Sequence, residues 1–125
     1  MEYRIEIEEH GASRVVHTHL KGSMSAKERD VAAAAKIRKM KEGKITKAIW
    51  DIREAPLEYR LVGSHLVATH LPELGVTNKV LIAAIYAHNK EQHEHARLAA
   101  HNRGIYNSEY FPEIADAIQW LVSKD

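Results

Sequence analysis

The sequence contains no cysteine. That single absence excludes disulfides, thiolate metal ligands, cysteine nucleophiles and thiol redox sensing. An excess of either charge is also missing. Eighteen Lys and Arg stand against 17 Asp and Glu, for a formal net charge of +1 with histidine neutral. Nothing therefore marks the whole surface for nucleic acid or for an anionic membrane. Long apolar runs are lacking too. The longest, Val80-Leu81-Ile82-Ala83-Ala84-Ile85-Tyr86-Ala87, is eight residues long, whereas a helix needs about 20 to cross a bilayer. The opening residues Met1 to Glu6 have neither the basic nor the apolar region of a signal peptide. A cytoplasmic protein without an integral membrane segment is expected. There is no Gly-x-Ser-x-Gly elbow, no His-Glu-x-x-His motif and no glycine-rich strand-to-helix phosphate loop. A nucleophilic or nucleotide-dependent enzyme is hard to build from what remains.

The 125 residues, 45% hydrophobic and 28% charged, suit one globular domain spanning 1–125. Tyr3, Ile5 and Ile7 alternate with Arg4, Glu6 and Glu8, the period of a half-exposed strand. A turn at His10 to Ser13 leads into a second strand from Arg14 to Leu20, a hairpin partner for the first. Ser25 with Glu28 forms a capping box for a helix running to Glu42, with Gly43 as its C′ residue. Ala26, Ala33, Ile37 and Met40 are the apolar stripe of that helix. Ile45 to Ile52 reads as a buried strand. A second helix is expected from Pro56, with Leu57, Leu61, Ala68 and Leu71 inward, closed by Pro72 and Gly75. Val80 to Ala87 is expected to be a central strand covered on both faces. A helix from Lys90 to Arg103, a short strand from Ile105 to Tyr110 and a last helix from Pro112 complete the chain. Ile114, Ala117, Ile118 and Leu121 are the core face of that last helix. The order β-β-α-β-α-β-α-β-α implies an α/β fold with a mainly parallel five-stranded sheet and one antiparallel hairpin at its start.

Three stretches carry a resemblance. They are Ile49-Trp50-Asp51-Ile52-Arg53, the strand from Lys79 to Ala87, and the tail, where Asn102-Arg103-Gly104 leads through Phe111 to Ala117-Ile118-Gln119-Trp120-Leu121. With the element order, they resemble the STAS superfamily, in particular its stand-alone bacterial SpoIIAA-like branch. The resemblance implies a protein-interaction or ligand-sensing module rather than an enzyme. In phosphorylation-switched members a Ser or Thr stands near the start of the helix after the third strand. The matching stretch here, Arg53 to Arg60, has neither, and Ser64 falls inside the expected helix.

In open α/β sheets ligands bind beyond the carboxyl ends of the strands. Asp51 and Arg53 end the third strand, and His88 and Asn89 end the fourth, so these four are the candidate ligand- or partner-binding rim. Asp51 could instead cap the next helix or pair with a neighbouring arginine. Of nine histidines, His17 and His19 lie two apart on a strand and share a face, an arrangement able to give two ligands to zinc or nickel. His93 and His95 point about 200° apart on a helix and cannot chelate together. The basic stretch Lys36 to Lys41, with Lys44 and Lys47, reads as the solvated face of a helix, with contact to an acidic partner as the lesser alternative. The expected function is a non-catalytic regulatory module that binds a protein or self-associates as a homodimer, without a cofactor and without nucleic acid. A carrier or sensor of a small, amphipathic ligand is the alternative, and a histidine metal site comes third.

Overall fold

The computed structural model describes residues 2–23, 25–55, 80–88, 90–102 and 108–124. The first two strands, β1 (Glu2–His10) and β2 (Ser13–Lys21), form an antiparallel hairpin in which His10 faces Ser13 and Glu2 faces Lys21. Gly11, at the first of the two connecting positions, has φ 63°. A two-residue hairpin turn of type II′ needs a positive φ there, which glycine adopts without steric cost.

Helix α1 (Ala26–Gly43) begins on the expected capping box: Glu28 N–H donates to Ser25 Oγ, and Ser25 N–H donates to Glu28 Oε1. Its end differs by one residue from expectation. Gly43 is still helical, and Lys44 takes the left-handed conformation at φ 54°. A side chain at 43 would come within 3.1 Å of Ile45 Cδ1, so the glycine serves close packing there, not the cap. Lys44→Gly is expected to raise stability by about 0.5–1 kcal/mol, since the left-handed region disfavours a Cβ by slightly more than glycine's added chain entropy. Urea denaturation would check the gain, and a loss would show that the Lys44 stem packs favourably.

Strand β3 (Lys47–Glu54) pairs parallel with β2, β4 (Leu81–Ile85) parallel with β3, and β5 (Ser108–Phe111) parallel with β4. The sheet order is β1-β2-β3-β4-β5. Helices α2 (Lys90–Asn102) and α3 (Ile114–Val122) flank β5 in sequence. The fold is the expected α/β arrangement, mainly parallel with one antiparallel hairpin. The helix expected from Pro56 to Leu71, and the Pro72 and Gly75 that were to close it, lie outside the described residues. The last helix starts at Ile114 rather than Pro112, with Glu113 at its N-cap.

The pleat divides the core in two. On one face Val16, Leu20, Ala48, Trp50, Ile52, Ile82 and Ala84 meet Ala32, Ala33, Ile37 and Met40 of α1. On the other, Val15, Ile49, Ala83 and Ile85 meet Ala117 and Leu121 of α3. The basic stretch of α1 is not uniformly solvated, contrary to its sequence reading. Arg38, Lys39 and Lys41 are exposed, but Lys36 is buried with its ammonium 4.7 Å from the centre of the Trp50 ring. Lys47 is buried too, donating to Ser13 Oγ at 2.9 Å. Period 3.6 carries Lys36 onto the flank of the Ala33–Ile37–Met40 stripe, where its four-carbon stem can cover apolar surface.

Candidate functional site

Side chains two apart on a strand share a face. On the α3 face, Val15 is therefore followed along β2 by His17 and His19, and Ile49 is followed along β3 by Asp51. The core on this face thus turns polar towards the carboxyl ends of the parallel strands. The hairpin register brings β1 to the same place: Glu6 lies opposite His17 and Arg4 opposite His19, while His19 lies opposite Asp51 across the parallel pair.

His17 is the hub, with 2% of its surface exposed. Its Nε2 lies 3.1 Å from Asp51 Oδ2, and its Nδ1 lies 3.0 and 3.1 Å from the two oxygens of Glu8. Asp51, also buried, accepts from Arg53 Nε at 2.9 Å and Nη2 at 2.6 Å, and from the Arg53 backbone N–H. Such a bidentate charge-assisted pair fixes the carboxylate plane. Glu8 further contacts His10 Nε2 at 3.0 Å. The His19 ring stacks on His17 with centroids 3.7 Å apart and planes 16° from parallel.

The electrostatics follow from these contacts. Burial alone would raise Asp51, but hydrogen bonds from His17 and Arg53 outweigh it and hold the carboxyl far below its usual range. Burial likewise opposes charge on His17, yet hydrogen bonds to Asp51 and Glu8 prevail and raise its pKa. Glu8 is lowered in spite of burial by its bonds to His10 and His17. His19 moves the other way, lowered by burial and then by the neighbouring His17 and Arg4 charges. The pair is thus one imidazole that favours charge stacked on one that favours neutrality.

Above this cluster, at the carboxyl ends of β2 and β3, lies an open hollow of about 680 Å³. Arg4, His19, Lys21, Asp51, Arg53 and Glu54 are among its walls, which carry both signs of charge.

Of the four rim residues read from the sequence, Asp51 and Arg53 come together, as an ion pair of the kind weighed there. His88 follows β4 at the same end of the sheet and is exposed, with no side-chain contact to Asp51 or Arg53 among the described residues. Asn89 lies outside the described residues. The ring of His93, buried between Tyr86 and Tyr110 at 5.3 Å from each, bonds to the His88 backbone, and burial lowers its pKa to about 4. His95 is exposed, so those two histidines do diverge. Sequence reasoning found the shared face of His17 and His19 but missed Glu6 and Glu8. The signal was present, because a two-residue turn at Gly11-Ala12 dictates which β1 residue faces each β2 residue.

No family model matches the chain, and no curated protein does. Solved structures do match. One is an uncharacterized protein from the DUF3478 family with a SpoIIAA-like fold, from Shewanella loihica PV-4. It superposes with a TM-score of 0.56 at 16% identity, covering 95% of this chain and 93% of that one. Another is the anti-sigma factor antagonist SpoIIAA in its unphosphorylated form, with a TM-score of 0.52 at 14% identity, covering 98% of this chain and all of the other. The chain therefore has the SpoIIAA-like fold that its sequence resembles. At these identities the likeness concerns the fold alone. No helix among the described residues is long and apolar enough to cross a membrane.

Proposed function

We propose that this protein is a cytoplasmic, non-catalytic regulatory module that binds a protein partner through the rim formed by Arg53, Lys21, Arg4 and Glu54. The observation that carries this reading is the Asp51–Arg53 pair. A buried carboxylate holds the guanidinium flat at the mouth of the hollow while 40% of the arginine side chain stays exposed. A planar guanidinium fixed in this way, ringed by charges of both signs, suits a polar partner surface better than a lipid tail. The solved protein of the same fold that is an anti-sigma factor antagonist acts within protein regulation, and that analogy supports the reading without fixing it. The non-catalytic part draws support from His17, whose two nitrogens both face carboxylates.

A small polar ligand is the second reading, favoured by the volume of the hollow, which falls in the range of about 300–1,000 Å³ usual for ligand sites. Self-association is a third form of partner binding. Among the described residues β1 has only β2 as a neighbour, and its Tyr3 and Ile7 are about two-fifths exposed.

Native mass spectrometry of the untagged protein separates these readings, because bound mass reveals a ligand and doubled mass a dimer. For the protein partner, affinity capture compares the native chain with Arg53→Glu and Lys21→Glu. Reversing a rim charge is expected to cost about tenfold or more in partner affinity while the far-UV spectrum stays unchanged. Equal capture by all three chains would sink the rim as the working surface.

A further inference from the structure

Asp51 lies beside both imidazoles at once. Its Oδ2 is 3.1 Å from His17 Nε2 and 3.8 Å from His19 Nδ1. Each ring therefore turns its other nitrogen away from Asp51, towards the carboxylates of β1. His17 Nδ1 is 3.0 Å from Glu8 Oε2. His19 Nε2 is 3.6 Å from Glu6 Oε2, and it is buried without a hydrogen-bond partner among the described residues. Glu8, His17 and His19 each offer a ligand atom, and these atoms lie within 4.8 Å of one another.

This pattern has the parts of a metal site in the right order. Two histidines two apart on a strand supply nitrogen, and a carboxylate from the adjacent strand supplies oxygen. An outer carboxylate, itself clamped by Arg53, bonds the far nitrogen of His17 and lies 3.8 Å from that of His19. In metal sites that outer contact fixes the tautomer and leaves the inner nitrogen with its lone pair towards the ion. We propose that Glu8, His17 Nδ1 and His19 Nε2 bind one divalent transition-metal ion of the zinc class, with Asp51 and Arg53 as their orienting support. A nitrogen and oxygen donor set without sulfur selects Zn²⁺, Co²⁺ or Ni²⁺ over Cu⁺, and imidazole ligands disfavour Mg²⁺ and Ca²⁺. The lone pairs of nearly parallel rings do not converge, so binding opens the stack by rotation about the side-chain bonds. Glu8 and His19, at 28% and 30% side-chain exposure, give the ion its way in. Glu6 or water completes the coordination. The site shares His19 and its Asp51–Arg53 support with the walls of the hollow, but the proposal does not depend on what the rim binds.

The test is titration of the untagged full-length chain with Zn²⁺ by calorimetry and with Co²⁺ by visible absorption. One ion per chain is expected, with the intense Co²⁺ bands of low coordination number. His19→Ala is expected to weaken binding by about 100-fold or more, at the top of the range of about 10–100-fold that loss of a mere orienting partner gives. Glu8→Gln is expected to weaken it by at least about tenfold. Both replaced side chains are partly exposed, and circular dichroism verifies that each variant folds. The double variant His88→Ala/His95→Ala is expected to bind as the native chain does. The proposal is overturned if the native chain binds no ion below about 1 mM, a Kd equivalent to only the weakest specific complexes. It is equally overturned if folded His19→Ala binds as well as the native chain, or if the His88/His95 variant is the one that loses the ion.

Discussion

Asp51→Ala will lower the free energy of unfolding by about 3–5 kcal/mol, the usual cost of removing one partner from a buried, hydrogen-bonded ion pair. The loss is large against a total of about 5–15 kcal/mol for a domain. The two partners of Asp51 do not share it equally. Arg53 is 40% exposed, and water can take over its donors, whereas His17 is 2% exposed and has no solvent to turn to. Most of the cost therefore arises at the imidazole, whose Nε2 loses its hydrogen-bond partner. Arg53→Ala is accordingly expected to cost only about 1 kcal/mol. Combining Asp51→Ala with His17→Leu should recover part of the loss, because a buried pair replaced by apolar groups is often neutral or better. Urea denaturation of the three variants and the native chain at one pH measures all of this. A loss below about 1 kcal/mol for Asp51→Ala would mean that water reaches the acid and that the cluster is a surface feature.

How much of this site was legible in advance depends on which physical rule each residue obeys. Asp51 and Arg53 could be placed at the rim because topology alone determines what lies at the carboxyl end of a parallel strand. His17 and His19 could be put on one face because a strand has period two. Glu8 required one more inference, the hairpin register, which the Gly11-Ala12 turn encodes. His88 was grouped with Asp51 by topology, yet the end of a strand fixes only a neighbourhood. Its side chain is exposed, and its backbone serves His93 instead. The fold itself was read with fewer errors, since the SpoIIAA-like order follows from turn residues and apolar periodicity spread along the chain. Its misreadings were local: Gly43 packs against Ile45 while Lys44 takes the cap, and the last helix starts at Ile114, after Pro112. Burial of individual charged residues was the least legible property. A lysine beside an apolar stripe looks solvated in sequence, and only the position of Trp50 across the α1–β3 contact decides otherwise.

That lysine gives the second large effect. Lys36 is 4% exposed, and its ammonium lies over the face of Trp50 at 4.7 Å. Burial lowers its pKa from 10.5 to about 8. The unfolded chain keeps the ordinary value, so between about pH 8 and 10.5 it holds a proton that the folded chain has released. Stability must then rise with pH across that window, by about 3 kcal/mol in all for a displacement of this size. Below about pH 8 both states are protonated, and the full cost of burying the ammonium is present. Lys36→Met keeps the length of the stem and removes the charge. At pH 7 it should raise stability by about 1–3 kcal/mol, the desolvation cost less the cation–π attraction that is lost with it. The variant should also lack the native chain's extra rise between pH 8 and 10.5, a difference to which the other titrating groups contribute equally in both chains. Urea midpoints at pH 7, 8, 9 and 10 would show it. Parallel pH profiles for the two chains would mean that the Lys36 ammonium reaches water after all, and that Trp50 covers only its stem.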